Sequence, residues 1–319
     1  MLRYTLIRII WLIPVIIVVA LIVFGLMELA PGTVVDGMFS EYMTEVERQE
    51  LIRRFNLDRP MIYRFGVYML NLVQGDLGTF DTTGQDVWRE FITRLPNTLI
   101  LAFSALIIGA SVAIPLGIFA ARRAGTLLDN AVTVVSLVGM SMPLFWLGLL
   151  LLLAFSLHLR WLPSGTFDDG IRSLILPAVC SSVTMIAVTA RQTRSNMLEV
   201  LKADYLRTAR AKGVPEEVVI RKHALGNAWI PIITAIGISL STQLAGAVVV
   251  EQVFAWPGIG RMAAEAVRSR DVTAATGTII MTSILYVLVQ LIVDLLYAVV
   301  DPRIKSQYKS LSKRKKRAA

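Results

Sequence analysis

Charge, cysteine and histidine are all scarce in this sequence of 319 residues. Charged residues make up 17% and hydrophobic ones 55%. A soluble domain of this size needs a far more charged surface, so a bilayer is the expected solvent. The single cysteine, Cys180, lies in an apolar stretch, which excludes a disulfide framework, a thiolate metal pair or a CxxC element within the chain. The two histidines, His158 and His223, stand far apart without ligand-like neighbours, so metal catalysis has almost no sequence support. No GxxxxGKS/T phosphate loop is present and no Gly-Lys dipeptide occurs anywhere. The chain therefore has no means of hydrolysing ATP by that route.

What the sequence does have is long apolar runs. About 20 apolar residues cross a hydrocarbon core of roughly 30 Å, and six segments qualify. The spans are expected at about Ile9–Leu29, Leu95–Ala121, Val132–Phe155, Leu174–Ala190, Ala228–Val250 and Thr276–Val300. Backbone polar groups cannot stay unpaired in hydrocarbon, so all six are expected to be helices. The fourth is short and carries Pro177, Cys180, Ser181, Ser182 and Thr184. Such a helix suits the inside of a bundle better than lipid. The first has a basic lead-in, Arg3 and Arg8, like a signal peptide, but its apolar run is too long and no A-x-A site follows. It is expected to be retained.

Net charge is +9, and the basic residues collect beside the spans, which reads as membrane topology rather than nucleic-acid binding. Arg3 and Arg8, then Arg122 and Arg123, then the run from Arg191 to Lys222, then the tail from Arg303 to Arg317 alternate with the six spans. Both termini are thus expected in the cytoplasm. The divisions read as residues 1–30 (first transmembrane helix), 31–94 (extracytoplasmic segment), 95–300 (transmembrane core) and 301–319 (basic cytoplasmic tail). Within the outer segment, Val46, Leu51, Ile52 and Phe55 have helical spacing, and Thr44 with Glu47 forms a capping-box pattern. Turns are expected at Gly75-Asp76-Leu77-Gly78 and Asp81-Thr82-Thr83-Gly84.

The loop at 191–227 is longer than a simple connector between helices. Met197, Leu198, Leu201, Tyr205 and Ala209 recur at three- and four-residue spacing among basic positions. Gly213 can end that helix in a left-handed conformation. Val214-Pro215-Glu216-Glu217 then starts another, with proline and carboxylates at its first turn. Two short helices meeting at a glycine form a knob outside the membrane. From physics alone, two readings stay open: a basic helix lying on anionic lipid, or a docking element for a soluble partner.

At this point the sequence resembles a known family. DYLRTARAKG, Asp204 to Gly213, resembles the cytoplasmic EAA loop of ABC importer permeases, most closely the dipeptide/oligopeptide/nickel permease family. Arg194-Ser195, Met197-Leu198, His223-Ala224-Leu225, Asn227-Ala228 and Pro231 fit the same pattern. So do VVVEQVFAWPGIG (Val248 to Gly260), Arg270-Asp271, DLLYAVVDPRI (Asp294 to Ile304) and the outer Gly75-Asp76-Leu77-Gly78. One departure is Gly226, at a position often basic in the family.

The resemblance implies an all-α integral membrane fold, the type I ABC importer permease fold, with a cytoplasmic coupling helix and an extracytoplasmic subdomain after the first helix. It implies a prokaryotic plasma or inner membrane. The residues expected to couple to an ATPase are Asp204, Tyr205, Arg207, Thr208, Ala209, Arg210, Ala211, Lys212 and Gly213. The implied partners are a second homologous permease, two cytoplasmic ATPase subunits, an extracytoplasmic solute-binding protein and membrane lipid. ATP and magnesium are expected on the ATPases, with no cofactor on this chain. Peptides are the implied cargo. Nickel chelates or oligosaccharides are a rival cargo for the same architecture.

Polar residues within the spans give candidates for the path. Met140, Ser141 and Pro143 on the third span, with Ser136, and Ser239, Thr242 and Gln243 on the fifth, either line a pore or hydrogen-bond between helices. Glu251, at the outer end of the fifth span, is a candidate outer gate or binding-protein contact, or simply a helix-end acid. Asp294 is the one acid well inside a span; it is either part of a substrate or proton path or paired with an inner-loop arginine, and the pairing is preferred because an isolated charge there costs roughly 2.5–3.5 kcal/mol. An ion- or proton-coupled secondary transporter should show more such charges near the midplane and inverted repeats. A non-transporting scaffold would not need polar fourth and fifth spans.

Overall fold

The computed structural model describes residues 2–38, 44–165 and 170–300. Among them helix dominates, and the only extended pairing is an isolated bridge between Thr79 and Asp86. The basic tail at 301–319 and the end of the DLLYAVVDPRI motif lie outside the described residues.

The helices are, in chain order, α1 (Leu2–Leu29), α2 (Val34–Met38), α3 (Glu45–Arg54), α4 (Met61–Val73), α5 (Val87–Arg122), α6 (Leu127–Ser141) and α7 (Leu144–Leu151), which continues as a π-helical turn over Leu152–His158. There follow α8 (Ile171–Leu201), α9 (Asp204–Ala211), α10 (Glu216–Val218) with a π-helical turn over Val219–Ala224, α11 (Leu225–Val253), α12 (Ile259–Arg268) and α13 (Val272–Val300). Five regions, in α1, α5, α8, α10–α11 and α13, are long and apolar enough to span, and the bent pair α6–α7 makes a sixth.

That bent pair departs from the sequence reading, which took Val132–Phe155 as one continuous helix. α6 and α7 meet at 101°. Pro143 lacks an N–H and pushes the residue before it out of the helical region, and Met142 is extended at φ −77°, ψ 123°.

By contacts the chain divides into two compact units, the first comprising Met1–Ile100, Gly165–Phe167 and Ala247–Leu288, the second Leu101–Ser164, Asp168–Gly246 and Val289–Ala319. In the first, Leu77, Phe80, Val87, Phe91, Ile259, Met262 and Ala274 form the core. Helix α3 has the capping box its sequence announces: Thr44 Oγ1 accepts from Glu47 N–H at 3.3 Å, and Glu47 Oε2 accepts from Thr44 N–H at 2.8 Å. Helix α4 was not singled out in the sequence. It packs on α1, where the Phe24 ring meets those of Phe65 and Tyr68 at 5.5 and 5.3 Å. The two turns that follow rest on the start of α13. Its buried cap, Asp271, accepts from Ala274 N–H at 2.8 Å and from Asp81 N–H at 2.6 Å. Burial, with the Asp271 charge beside it, pushes the Asp81 carboxyl up to about 7.

In the second unit α8 is the central helix. Its most apolar stretch is 61% buried, against 11% for that of α1, and Ser181, Ser182, Thr189 and Thr193 are all buried along it. This bears out the expectation that the polar fourth span packs inside. Neighbours approach closely because small residues face it. A Cβ on Gly117 of α5 would stand 2.5 Å from Thr193 Cβ. Cys180 is fully buried, its Sγ 3.6 Å from Leu144 O.

Candidate coupling elbow and path

The loop between the fourth and fifth spans is ordered, but its helices divide differently from the sequence reading. Met197, Leu198 and Leu201 belong to α8, which runs on to Leu201. The chain breaks at Lys202-Ala203, where Ala203 is extended at φ −70°, ψ 141°. Tyr205 and Ala209 belong to the separate, short α9, whose first residue is Asp204 and whose last turn holds Arg210. Those charges suit the helix dipole at each end.

The residue that anchors α9 is Leu206, fully buried among Met197, Val219, Ile220 and Ala224. The sequence reading missed it, because Tyr205 precedes it directly and periodicity alone does not say which neighbour turns inward. Of the nine nominated residues, Ala209 is half-buried; Asp204, Tyr205, Arg207, Thr208, Arg210, Ala211, Lys212 and Gly213 are exposed. They form one polar face that presses on nothing within this chain's core.

Gly213 has φ +77°. Val214 N–H donates to Ala209 O at 3.3 Å and Gly213 N–H to Arg210 O at 2.9 Å. This is the Schellman arrangement, in which a left-handed residue closes a helix while its last carbonyls stay paired. The expected second short helix is instead a lead-in: α10 and its π-helical turn run directly into α11. Three polar links brace the elbow. Arg210 Nε and NH2 donate to the two oxygens of Glu216 at 3.0 and 2.9 Å. Asn227 Nδ2 donates to Tyr205 Oη at 2.9 Å, tying α9 to the start of α11. Glu217 meets Arg122 at 3.4 Å and Arg221 at 2.7 Å. Gly226 has open space around it.

A further pair, also missed, joins α6 to α8. Asp129 is almost completely buried and accepts from both Nε and NH2 of Arg194, the second at 2.6 Å. Gly125 N–H donates to the same carboxylate at 2.9 Å. Sixty-five positions separate the pair, so no local pattern reveals it.

The candidate path residues fall into two groups. Ser141 and Pro143 are exposed at the α6–α7 break, beside an apolar cleft lined by Leu137, Phe145 and Trp146, and Met140 is half-buried one residue before it. On α11, Ser239 Oγ donates to Ala235 O at 2.8 Å and Thr242 Oγ1 to Ser239 O at 2.9 Å, both within the helix. Gln243 Nε2 donates to Ser181 O at 3.1 Å, a link between α11 and α8. Ser241 Oγ donates to Gln290 Oε1 at 2.7 Å, and Gln290 Nε2 donates to Asp294 at 3.2 Å. Asp294 thus has a partner on its own helix, where the sequence reading expected an inner-loop arginine.

Glu251 is fully buried. Its Oε1 accepts from Thr98 Oγ1 at 2.6 Å and its Oε2 from Arg261 N–H at 2.9 Å, while Thr98 Oγ1 accepts from Ile259 N–H at 2.9 Å. Thr98 and Glu251 therefore satisfy N–H groups in the first turn of α12, which have no partner within that helix. Trp256 Nε1 donates to Asn97 O at 3.0 Å and Asn97 Nδ2 to Pro257 O at 2.9 Å, completing the clasp. In this structure Glu251 is a helix cap with no exposed surface.

Residues 113–306 match the family model of the binding-protein-dependent transport system inner membrane component. The chain is 40% identical to the di/tripeptide transport system permease protein DppB of Pseudomonas aeruginosa (strain UCBPP-PA14), over 93% of this chain and 96% of that protein. It is 36% identical to the oligopeptide transport system permease protein AppB of Bacillus subtilis (strain 168), over 96% of this chain and all of that protein. Among solved structures, the inward-facing MetNI methionine ABC transporter matches 66% of this chain and 96% of its own, with TM-score 0.57 at 20% identity. An amino acid ABC transporter with histidines covers 67% of this chain and 94% of its own, with TM-score 0.51 at 17% identity. These last two bear on the fold alone.

Proposed function

The chain belongs to the binding-protein-dependent transport system inner membrane component family, and from that membership we propose that it forms half of the translocation path of an ATP-driven importer of di- or oligopeptides. The observation that carries this reading is near full-length identity of 40% to a di/tripeptide permease. The cargo named for that protein and for the Bacillus subtilis relative is peptide, which favours peptides over nickel chelates or oligosaccharides.

The elbow supplies the mechanics. The polar face of α9 is the docking surface for a separate cytoplasmic ATPase, which binds the ATP and magnesium. A push on α9 reaches α8 through the two-residue link Lys202-Ala203 and through Leu206. It reaches α11 through the Arg210–Glu216 pair and the Tyr205–Asn227 bond. Both neighbours are apolar, spanning helices, so displacement of the elbow becomes tilt within the bundle. A second permease completes the path, and an extracytoplasmic binding protein delivers cargo to the face bearing residues 31–94. Both termini lie in the cytoplasm.

The test is to purify the chain from its own membranes in mild detergent and identify what accompanies it. A second permease and an ATPase are expected. Recovery of this polypeptide alone would count against the importer. ATP hydrolysis by the reconstituted assembly should rise with peptide-loaded binding protein, and a response confined to nickel chelates or oligosaccharides would reassign the cargo.

A further inference from the structure

At the end of α1 distal to the N-terminus lies a cavity of about 550 Å³, bounded by α1, α4, the turn at 76–81 and the start of α13. Its chemistry is unusual for a span end. Three arginines line it, Arg54, Arg64 and Arg270, with three carboxylates, Glu28, Asp76 and Asp81. The Arg64 side chain is 11% exposed and pairs with Glu28, yet its Nε has no partner. Arg270 NH1 and the Tyr68 hydroxyl, on two other lining residues, are likewise buried without one. A buried donor left unmet keeps its full desolvation penalty, and a charged one keeps more. Two arginines and a tyrosine that line one cavity, each with an unmet donor, favour a ligand with several acceptor oxygens, and phosphate is the oxyanion arginine forks fit best.

The carboxylates set a second condition. Among the lining acids Asp81 holds its proton up to about 7, which leaves Glu28 and Asp76 as the firm negative charges, so a simple anion would meet repulsion beside attraction. A group carrying phosphate and a primary ammonium a few bonds apart satisfies both. The third condition is apolar. Leu29 lines the cavity on α1, and Leu26 and Ile22 continue from it along one exposed stripe. Tyr63 and Val67 line it on α4, and Leu70 continues a second. Two exposed apolar tracks leading away from a charged cup suit two acyl chains, and a soluble peptide has no use for them. We infer that this cavity binds the phosphoethanolamine headgroup of a membrane phospholipid, with its phosphate on Arg64, Arg270 and Tyr68 and its ammonium towards Asp76 and Asp81.

The site does not depend on the cargo or on the elbow, and its test is separate. The full chain, purified with whatever accompanies it and stripped of lipid, is titrated with dihexanoyl phosphatidylethanolamine and followed by native mass spectrometry. One lipid per chain is expected, with at least tenfold weaker binding by Arg270→Gln, partial retention by Arg270→Lys and no change in Arg89→Gln, an exposed position outside the cavity. Should Arg270→Gln fail to assemble, Tyr68→Phe keeps the ring packing and should weaken binding severalfold. Equal binding by wild type, Arg270→Gln and Tyr68→Phe would overturn the inference. So would tighter binding of the phosphatidylglycerol or phosphatidylcholine analogue, or displacement of the lipid by an equal concentration of dialanine, which would assign the cavity to peptide.

Discussion

Arg210 and Glu216 face one another across Gly213 with two parallel hydrogen bonds of 3.0 and 2.9 Å. The pair bridges the one place where the elbow has left-handed backbone, and so holds α9 and the lead-in to α11 at a fixed angle. Both side chains are substantially exposed, at 37% and 52%. Its effect on folding is therefore about 1 kcal/mol or less, and any larger effect falls on coupling. Arg210→Glu should lower peptide uptake severalfold with unchanged melting, and Arg210→Glu with Glu216→Arg should restore much of it. An uptake assay on the double-mutant cycle reads this directly, and additive losses would dismiss the brace.

Gly213 separates backbone from packing. A Cβ there meets no atom within 4 Å, so any cost comes from its φ of +77° alone. Gly213→Val should cost roughly 1–2 kcal/mol locally, release the elbow and abolish ATPase co-purification while insertion proceeds. Gly213→Asn, which tolerates the left-handed region, should retain most assembly. Normal assembly by the valine variant would falsify the docking role.

For Glu251 the variants divide a cap from a gate. Glu251→Ala leaves Arg261 N–H and Thr98 Oγ1 without their acceptor in a buried site, a loss on the order of 2–5 kcal/mol. Melting in detergent should drop by several degrees, and Glu251→Gln should lose less because it keeps a carbonyl oxygen there. If Glu251→Gln melts normally yet transports nothing, a gating role regains priority.

The Asp81 carboxyl titrates at about 7 in the fold, against about 3.9 in an unfolded chain. A raised carboxyl pKa means the fold prefers the protonated form. The associated stability is complete below about pH 4 and is lost as pH rises through about 7. Wild-type melting temperature should therefore fall between about pH 4 and pH 7 and level off above. Asp81→Asn should flatten that slope, since the hydrogen bond to Asp271 comes from the Asp81 backbone N–H.

Asp294 offers a check on the secondary-transport reading. Its hydrogen bond from Gln290 makes Asp294→Asn a small change, and uptake in that variant should stay within about twofold. Loss of uptake with intact assembly would point to proton coupling.

Features encoded by neighbours in sequence could be read without coordinates. The Thr44–Glu47 capping box needs only three residues of separation, and the turn at Gly213 needs only a glycine after an amphipathic run. Burial of α8 was legible because serines and threonines in a span disfavour lipid. What escaped is long-range or ambiguous. The Asp129–Arg194 and Thr98–Glu251 pairs join residues 65 and 153 positions apart. Leu206 and Tyr205 compete for one inward direction, which only the packing of Val219 and Ile220 decides. Pro143 did signal its break, but apolar residues on both sides masked it, since composition measures length and not direction. Helix α4 escaped for a similar reason: its apolar residues are needed on two faces, one towards Phe24 and one exposed.

Burial of the sole sulfhydryl has a practical corollary. Cys180 has no accessible surface, so a maleimide applied to the folded protein finds no native target. A reporter thiol placed at Arg207 or Lys212 becomes the single reactive group on the chain. Its labelling in right-side-out or inverted vesicles reports which compartment the elbow occupies. Protection from labelling when other subunits are present reports when that face is covered, with the native sequence otherwise untouched.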